Sequence, residues 1–157
     1  MASLTEQPKN INPLMDVQFK FDIAALPNTS FFIQTVNLPG ISLEAAVIAA
    51  PQLASYSRHT GIITYEALDV TFMIDEYLKN WQEVYEWMIS DVNKYTTAVL
   101  TLVSSSMNPT MEIHFKEIFP TTLSAIPFDS TTTDPVYQVA TISFNYTEYI
   151  IKNLLNN

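Results

Sequence analysis

One change of hydrophobic period, between Leu68 and Ile89, constrains the fold of this chain more than any other feature. Apolar residues fall at every second position from Leu68 to Ile74, which is typical of a strand with one buried face. From Asp75 they recur every three or four positions, which predicts an amphipathic helix over about residues 75–90. We expect Asp75 to be its N-cap, because acidic residues suit the positive end of the helix dipole. The side chains predicted to anchor this helix are Leu78, Trp81, Tyr85 and Met88.

The rest of the chain predicts strands. No other stretch of ten or more residues has a helical period, and the apolar residues alternate or form short β-branched and aromatic blocks. The predicted fold class is therefore mainly β with one flanking α-helix.

Length and composition suit one folded domain. The chain has 157 residues, of which 48% are hydrophobic and 15% charged, so it is not of the disordered class. We expect residues 1–15 to form a flexible, polar N-terminal arm without the character of a signal or transit peptide, and residues 16–157 to form a single β domain. No run reaches the roughly 18 apolar residues of a membrane span. Cysteine is absent, so the sequence offers no disulfide or thiolate chemistry.

The charge balance argues against two classes of partner. Sixteen acidic residues against seven basic ones give a formal charge of −9, and Arg58 is the only arginine. A nucleic-acid reader needs clustered Lys and Arg to neutralise phosphates, and the sequence has no such cluster. The same acidity disfavours docking on an anionic membrane surface.

The first third of the chain predicts three strands and a turn. Alternation from Asp16 to Ile23 predicts the first strand, and the more apolar segment Phe31–Val36 predicts a second that could pair with it as a hairpin. The sequence from Leu38 to Ser42 contains Pro39 and Gly40 in the order of a type II turn, for which we expect a positive φ at Gly40. A third strand is predicted from Glu44 to Ala50, ended by Pro51.

The segment from Gln52 to Glu66 predicts a long loop or a protruding hairpin. Its first half is polar, and Gly61, one of only two glycines, lies near its middle. Long loops inside compact domains are uncommon and usually functional. An arm that contacts another chain and a merely tolerated insertion are both open readings, and we favour the arm.

The last part of the chain predicts strands that need partners. The strand Thr97–Val103 carries no charge on either face, which predicts neighbours on both sides. A further strand over Met111–Lys116 is followed by a turn-rich connection beginning at Phe119. The terminal strand, Val136–Ile151, is so long that we expect it to be bent, bulged or continued into contacts outside the domain. Its apolar end, which a monomer would cover poorly, consists of Ile150, Ile151, Leu154 and Leu155.

The sequence contains no recognisable catalytic or metal-binding constellation. His59 and His114 are the only histidines, and no ligand pair stands at zinc spacing. We expect His114 to be a solvated strand residue and His59 to be a candidate for hydrogen bonding at an interface. Two glycines cannot form the common phosphate-binding loops. Asp75 and Glu76 could serve as an acid–base pair or metal clamp, but a helix N-terminus explains them better. We therefore expect no enzyme, cofactor or metal.

An ordered set of motifs resembles the tail tube protein family of contractile-tailed bacteriophages. The set comprises L-P-G-I-S at Leu38–Ser42, F-x-I-D-E at Phe72–Glu76, a helix of the form Y-L-x-N-W-x-E-V-Y-E-W-M at Tyr77–Met88, and F-P-T-x-L at Phe119–Leu123 before a long terminal strand. The resemblance covers roughly Asp16 to Tyr149. The sequence after Tyr149 is longer than in an ordinary tube subunit, which leaves room for a specialised relative.

The resemblance implies a two-sheet β-sandwich or half-barrel with one flanking helix, similar also to the type VI secretion tube protein. In that family six subunits form a ring with a continuous inner β-barrel, and the rings stack into a tube. Such a ring pairs every exposed sheet edge with a neighbour, which suits long uncharged strands. If much of the acidic charge faced the lumen, DNA would be repelled from the wall and would slide through.

The leading hypothesis is a structural virion protein, a hexameric ring subunit that stacks into the phage tail tube and conducts DNA. Its expected partners are copies of itself, the tail sheath, and baseplate or terminator proteins, with assembly in the host cytoplasm. The alternatives are a tube initiator or baseplate adaptor of the same fold and, in a different class, a soluble β-sandwich that binds a ligand. The residues predicted to form the subunit interface are Leu38, Pro39, Gly40, Ser57, Arg58, His59, Thr60 and Gly61.

Overall fold

The computed structural model describes residues 13–16, 18–49, 55–90 and 94–155. Within these ranges the chain is mainly β, as predicted, with antiparallel strands throughout. The strands are β1 Phe19–Ile23, β2 Ile33–Asn37, β3 Ile41–Ala49, β4 Ser55–Tyr65, β5 Leu68–Met73, β6 Thr96–Val103, β7 Pro109–Leu123, β8 Val139–Asn145 and β9 Glu148–Asn153. The helices are α1 Pro27–Phe31 and α2 Lys79–Ile89. The expectation of a single helix is wrong, because α1 is one turn long and too short to show a helical period.

Strand β7 connects two sheets. Its first part pairs with β9 up to Lys116 and with β6 up to Ile118, and its last part, from Phe119, pairs with β8. Near this boundary Glu117 has a φ of 53°, a left-handed conformation that bends the strand. The first sheet therefore has the order β1-β6-β7-β9, and the second has the order β2-β5-β8-β7. In the described part of the chain neither sheet closes into a barrel.

The two sheets share one hydrophobic core. Alternate residues of β5 and β8 are fully buried, as are the inward residues of β6 and the first part of β7. Phe21 and Phe115 meet edge to face at 6.2 Å within this core. The predicted strand Leu68–Ile74 is confirmed as β5, because strict alternation requires one buried face.

Helix α2 begins four residues later than predicted. Asp75 is not the N-cap. Leu78 is, in a left-handed conformation, and the Asp75 carboxylate accepts the backbone N–H groups of Tyr77 (2.6 Å) and Lys79 (3.3 Å). Asn80 is fully buried, accepts the Asp75 N–H at 3.2 Å and donates to the Met73 carbonyl at 2.7 Å. A side-chain network between β5 and α2 thus replaces the expected N-cap.

The buried face of α2 differs from the predicted one. Asn80 and Val84 are its buried residues, Trp81 is half-buried against the core, and Tyr85 stacks on Trp81 at 5.8 Å while remaining 48% exposed. Met88 also lies on the exposed side, and Leu78 is half-buried at the N-cap. The buried positions precede Trp81 and Tyr85 of the predicted face by one residue each. The prediction chose the face with the larger side chains, and the helix turns the neighbouring face toward the core.

The β1–β2 hairpin is a wrong expectation. Helix α1 separates the two strands, β1 pairs with β6, and β2 pairs with β5. Proline in the first turn of α1 starts the helix where the sequence indicated only a break. Each of these two strands therefore ends up at the edge of a different sheet.

Strands β2, β3, β4 and β5 form one long ribbon with a kink. Asn37 pairs with Asp69 in β2–β5 and Ile41 pairs with Tyr65 in β3–β4, so the antiparallel register continues across the kink. The distal half of the ribbon, β3–β4, is here called the arm. The loop prediction for residues 52–66 is wrong over the described residues 55–65, which form one continuous strand. A protruding hairpin does exist, but β3 supplies its other strand. Residues 50–54 lie outside the described ranges.

The predicted terminal strand is interrupted. It is divided into β8 and β9 by Tyr146 and Thr147, which confirms that a bend was needed. The 15-residue strand is β7 instead, so the predicted connection at Phe119–Leu123 is a strand. Most of the predicted N-terminal arm, residues 1–15, lies outside the described residues, since only 13–15 of it are described. No helix among the described residues is long and apolar enough to cross a membrane.

Candidate assembly surfaces

Among the described residues, no group of three or more His, Cys, Asp or Glu side chains is placed to hold a metal ion. His59 is exposed on β4, and the His114 imidazole contacts the Glu112 carboxylate at 2.8 Å on the surface of β7. The candidate functional surfaces are instead the unpaired edges of the first sheet and the exposed strands β3 and β4.

The first sheet has two open edges, β1 and β9. The Leu154 N–H, just beyond β9, donates to the Thr110 carbonyl. Because hydrogen-bonded pairs alternate along an antiparallel ladder, the even-numbered residues of β9 are the ones bonded to β7. The backbone groups of Tyr149, Ile151 and Asn153 therefore point away from the sheet. The row they form is an unpaired strand edge of the kind that recruits another strand.

The β1 edge has the same character. The Val103 N–H donates to Gln18 and the Ala24 N–H donates to Thr97, so even-numbered residues of β1 bond to β6. Phe19 and Phe21 direct their backbone groups outward. At the C-terminal end of β1 the outward Ile23 N–H donates to the Ser30 hydroxyl of α1 at 3.1 Å. Another strand could therefore pair with this edge only up to that point.

A groove runs along the β1 edge, and apolar side chains protrude at the β9 edge. The groove has a volume of about 600 Å³ and lies between β1 and β2, with Phe19, Phe21 and Ile33 in its lining. At the other edge Ile151 is 53% and Leu155 70% exposed. These residues bear out the expectation that a single chain covers this apolar end poorly, and they have the size and chemistry to fill such a groove.

The open face of the first sheet carries paired charges. Lys20 contacts Asp22 at 2.8 Å and Lys116 contacts Glu148 at 2.6 Å. With Glu112 and Lys152, which are directly opposite each other, the face holds three lysines and three carboxylates. The chain as a whole has sixteen acidic residues and seven basic ones, so most of its acidic surplus lies elsewhere. The β6 residues Val99 and Thr101 lie between these charges and are half-exposed. Strand β6 has a neighbouring strand at each edge, β1 and β7, but no other described element covers this face of the sheet.

The arm is exposed on both faces. Every described residue of β3 is exposed, including Val47 at 71%, and β4 is exposed from Tyr56 to Thr64. Two-stranded hairpins are marginally stable alone, and this one displays apolar side chains to solvent. The register shifts between Leu43 and Ala45, where extra residues of β4 bulge out. Gly61 lies in this bulge with a φ of 84°, so the positive φ expected at Gly40 belongs to the other glycine.

The structure divides the predicted interface residues between the arm and its root. The five from β4 lie along the arm, whereas Leu38, Pro39 and Gly40 connect β2 to β3 at the kink. The type II turn is wrong, because Gly40 lacks a positive φ and the chain continues extended into β3. The Gly40 N–H donates to the Glu66 carboxylate at 3.2 Å, and a Cβ at Gly40 would lie 2.9 Å from that oxygen, a contact that the exposed, flexible Glu66 side chain could relieve by moving.

Two tyrosines contact the kink: Tyr146 lies in the break between β8 and β9, and Tyr149 lies in β9. The Tyr146 hydroxyl donates to the Glu66 carbonyl at 2.8 Å, and the Tyr149 hydroxyl donates to the Pro39 carbonyl at 3.4 Å. Each strand of the ribbon thus receives one hydroxyl. Both rings contact Tyr65 of β4 and the buried Phe115. Burial, and then the nearby Tyr149, Tyr65 and Glu66, raise the pKa of Tyr146 to about 12.

Sequence reasoning missed the open edges and the tyrosine contacts. Both depend on which strands pair, and no local pattern encodes that pairing. The spacing of Tyr146 and Tyr149 interrupts the alternation of the terminal strand, and this interruption was the available signal.

The described chain is thus an open-edged antiparallel sheet, joined by one bent strand to a second sheet that continues into an exposed ribbon. No family model matches the chain. Among curated proteins it is 29% identical, over 133 residues and 76% of each chain, to the tail tube terminator protein of Enterobacteria phage T4.

Solved structures show the same fold. A chain of the anti-feeding prophage baseplate superposes with a TM-score of 0.73 at 11% identity, covering 91% of this chain and 97% of that one. A chain of the anti-feeding prophage tube-terminating cap gives 0.70 at 14% identity, with 98% and 99% covered. For the type VI branch, Hcp1 from Flavobacterium johnsoniae gives 0.56 at 12% identity, with 87% and 95% covered. The predicted resemblance to the contractile tail tube family is confirmed.

Proposed function

We propose that this chain is a structural ring subunit of a contractile phage tail tube, with no catalytic role. The match to the phage T4 protein and the shared fold support a structural part in the tail. The observation that carries the ring is the pair of complementary open edges on the first sheet. In a ring of six copies the β9 edge of each subunit would pair with the β1 edge of the next.

The strand directions suit this pairing. The first sheet has four antiparallel strands, so its two edge strands run in opposite directions. When copies follow one another in the same orientation, β9 meets the next β1 in antiparallel fashion. A head-to-tail interface of this kind closes into a ring when the rotation between copies is right. It would form the continuous inner barrel that the resemblance implies.

The side chains at the junction suit it as well. Tyr149, Ile151 and Asn153 offer backbone groups at odd positions, as do Phe19 and Phe21 on the other edge. Pairing odd with odd keeps the core-facing sides of both strands on the same side of the barrel. Ile151 would then enter the groove beside β1 and extend the hydrophobic core of one subunit into the next.

The open face of the first sheet would line the lumen through which DNA passes. Its charges are balanced, so the expectation of a strongly acidic wall is replaced by one of a neutral wall with opposite charges held together. Such a wall offers phosphates no net attraction, and DNA could move past it without adhering. The acidic surplus would lie on surfaces turned toward other tail components.

The arm would contact the adjacent ring or another tail protein. Its two exposed faces and its apolar side chains call for a covering partner. We assign the sheath, the baseplate and neighbouring tube rings as the classes of partner, in a virion assembled in the host cytoplasm.

A ring that ends the tube is the second candidate. It is favoured by the 29% identity to a tail tube terminator protein, and it would need the arm on one ring face only. The initiator or adaptor reading differs in which end of the tube is met. The β-sandwich ligand-binding reading has no comparable support.

Native mass spectrometry and negative-stain microscopy of the purified chain test the proposal. Rings of six copies of the 17.8 kDa chain are expected. Long tubes would favour the tube subunit, and single rings that bind one end of a preformed tube would favour the terminator. A protein that stays monomeric at the highest soluble concentration would contradict both.

A further inference from the structure

We infer that Tyr146 and Tyr149 form a clamp that sets the angle of the arm relative to the first sheet. This inference rests on the proposed function, in which the arm must meet a partner at a fixed direction. It assigns a positioning role to residues that lie outside the predicted interface.

The arm has few other means of support. Beyond the pairing of β3 with β4, neither strand shares an extensive contact with another element in the described part of the chain. The ribbon register is the same on both sides of the kink, so pairing alone would allow the ribbon to run straight or bend. The contacts at the root must therefore decide the angle.

The clamp grips both strands of the ribbon at the kink. One hydroxyl reaches the Glu66 carbonyl on the β4–β5 side, and the other reaches the Pro39 carbonyl on the β2–β3 side. The Glu66 backbone N–H donates to the Gly40 carbonyl, and its side chain accepts the Gly40 N–H. With both strands held, rotation of the arm about either one breaks a hydrogen bond.

The clamp is also anchored to the ring junction. Tyr149 belongs to β9, the edge strand that would pair with the neighbouring subunit. Both tyrosine rings pack on Phe115, which is 1% exposed and surrounded by the hydrophobic core. Pairing at the β9 edge would thus stiffen the root of the arm, so ring closure would prepare the arm for its partner.

The test is a double variant, Tyr146→Phe with Tyr149→Phe, which keeps the aromatic packing and removes both hydroxyls. The chain contains no cysteine, so spin labels can be placed at Val47→Cys on the arm and Ile89→Cys at the exposed end of α2. Double electron–electron resonance spectroscopy gives the distribution of distances between the two spin labels of one chain. Labelled chains are diluted with unlabelled ones so that distances between chains do not contribute. We expect a narrow distribution for the parent and a clearly broader one for the double variant, with unchanged circular dichroism.

Tyr56→Phe is the matched control, because it removes a hydroxyl from an exposed tyrosine on the arm without touching the kink. It should leave the distribution narrow. Equal widths for parent and double variant would overturn the clamp. A broad distribution in the parent would overturn it too.

Assembly gives a second readout. If loosening leaves the arm at its working angle for about a tenth of the time, the concentration needed to engage its partner rises roughly tenfold per arm. Rings of the double variant should therefore form normally but stack, or bind a tube end, only at higher concentration. Absence of rings in the parent protein would count against the proposed function, whereas the distance measurement judges the clamp independently.

Discussion

Replacing Ile151 by proline should shift ring formation to much higher chain concentrations without unfolding the subunit. Ile151 is 53% exposed on the edge strand β9, and its N–H points away from β7. Proline is tolerated on edge strands where its missing N–H faces outward. All hydrogen bonds between β7 and β9 remain possible in this variant, whereas the donor offered to the next subunit and the isoleucine side chain proposed to fill the neighbouring groove are lost.

The effect on assembly is large because the junction recurs around the ring. One hydrogen bond contributes about 0.5–1.5 kcal/mol net. At the upper end of that range each junction weakens roughly tenfold. Over six independent junctions the association constant falls by about a millionfold, and the chain concentration at half-assembly rises by roughly 15-fold. The bulk of the proline ring adds to this loss.

Analytical ultracentrifugation over a concentration series measures the half-assembly point, and urea melts measure the fold. We expect the free energy of unfolding of the monomer to change by less than about 1 kcal/mol. Lys152→Pro is the control, because the Lys152 N–H donates to β7 inside the subunit and not to a neighbour. Loss of this internal hydrogen bond should lower the free energy of unfolding of the monomer by about 1–3 kcal/mol. Rings of Ile151→Pro that assemble at the parent concentration would refute pairing through the β9 edge.

Three further outcomes follow from the fold. Asn80→Ala should lower the free energy of unfolding by about 1–3 kcal/mol in urea melts, because it leaves the half-buried Asp75 N–H and Met73 carbonyl without this partner. Gln82→Ala, on the exposed side of α2, should cost under about 0.5 kcal/mol. Phe144→Ala should cost about 3–5 kcal/mol, since the ring is fully buried against Trp87, and equal stability with the parent would place it outside the core. The raised pKa of Tyr146 predicts a stabilisation that is complete below about pH 10 and lost as the pH rises toward 12. Melts across that range should show a shallower decline for Tyr146→Phe, and parallel curves would contradict the prediction.

Local patterns in the sequence predicted the elements whose signal is local. Alternation located β5 and β6 nearly to the residue, because each strand has one face in the core. The helical period located α2, although the start and the buried face were misplaced. Leu78 takes a left-handed conformation and Asn80 enters the core, and neither choice is favoured by its residue type.

The candidate site was predicted only in part. Residues 55–65 were expected to form an arm or a loop, and they form one strand of an exposed ribbon. A positive φ was expected at Gly40, but the structure places it at Gly61. Only the pairing of β3 with β4, which puts a bulge at Gly61, decides which of the two glycines needs this conformation.

By itself the sequence determined a mainly β domain with one substantial helix and an acidic composition without a basic cluster, and it carried the resemblance to contractile tail tube proteins. The tertiary structure decided which strands are edges, that β7 bends to join two sheets, and that the kink is held by Tyr146 and Tyr149. Period and composition record how each residue meets solvent or core, which is a local property. Strand pairing joins residues far apart in the chain, so the assembly surfaces exist only once the fold has brought them together.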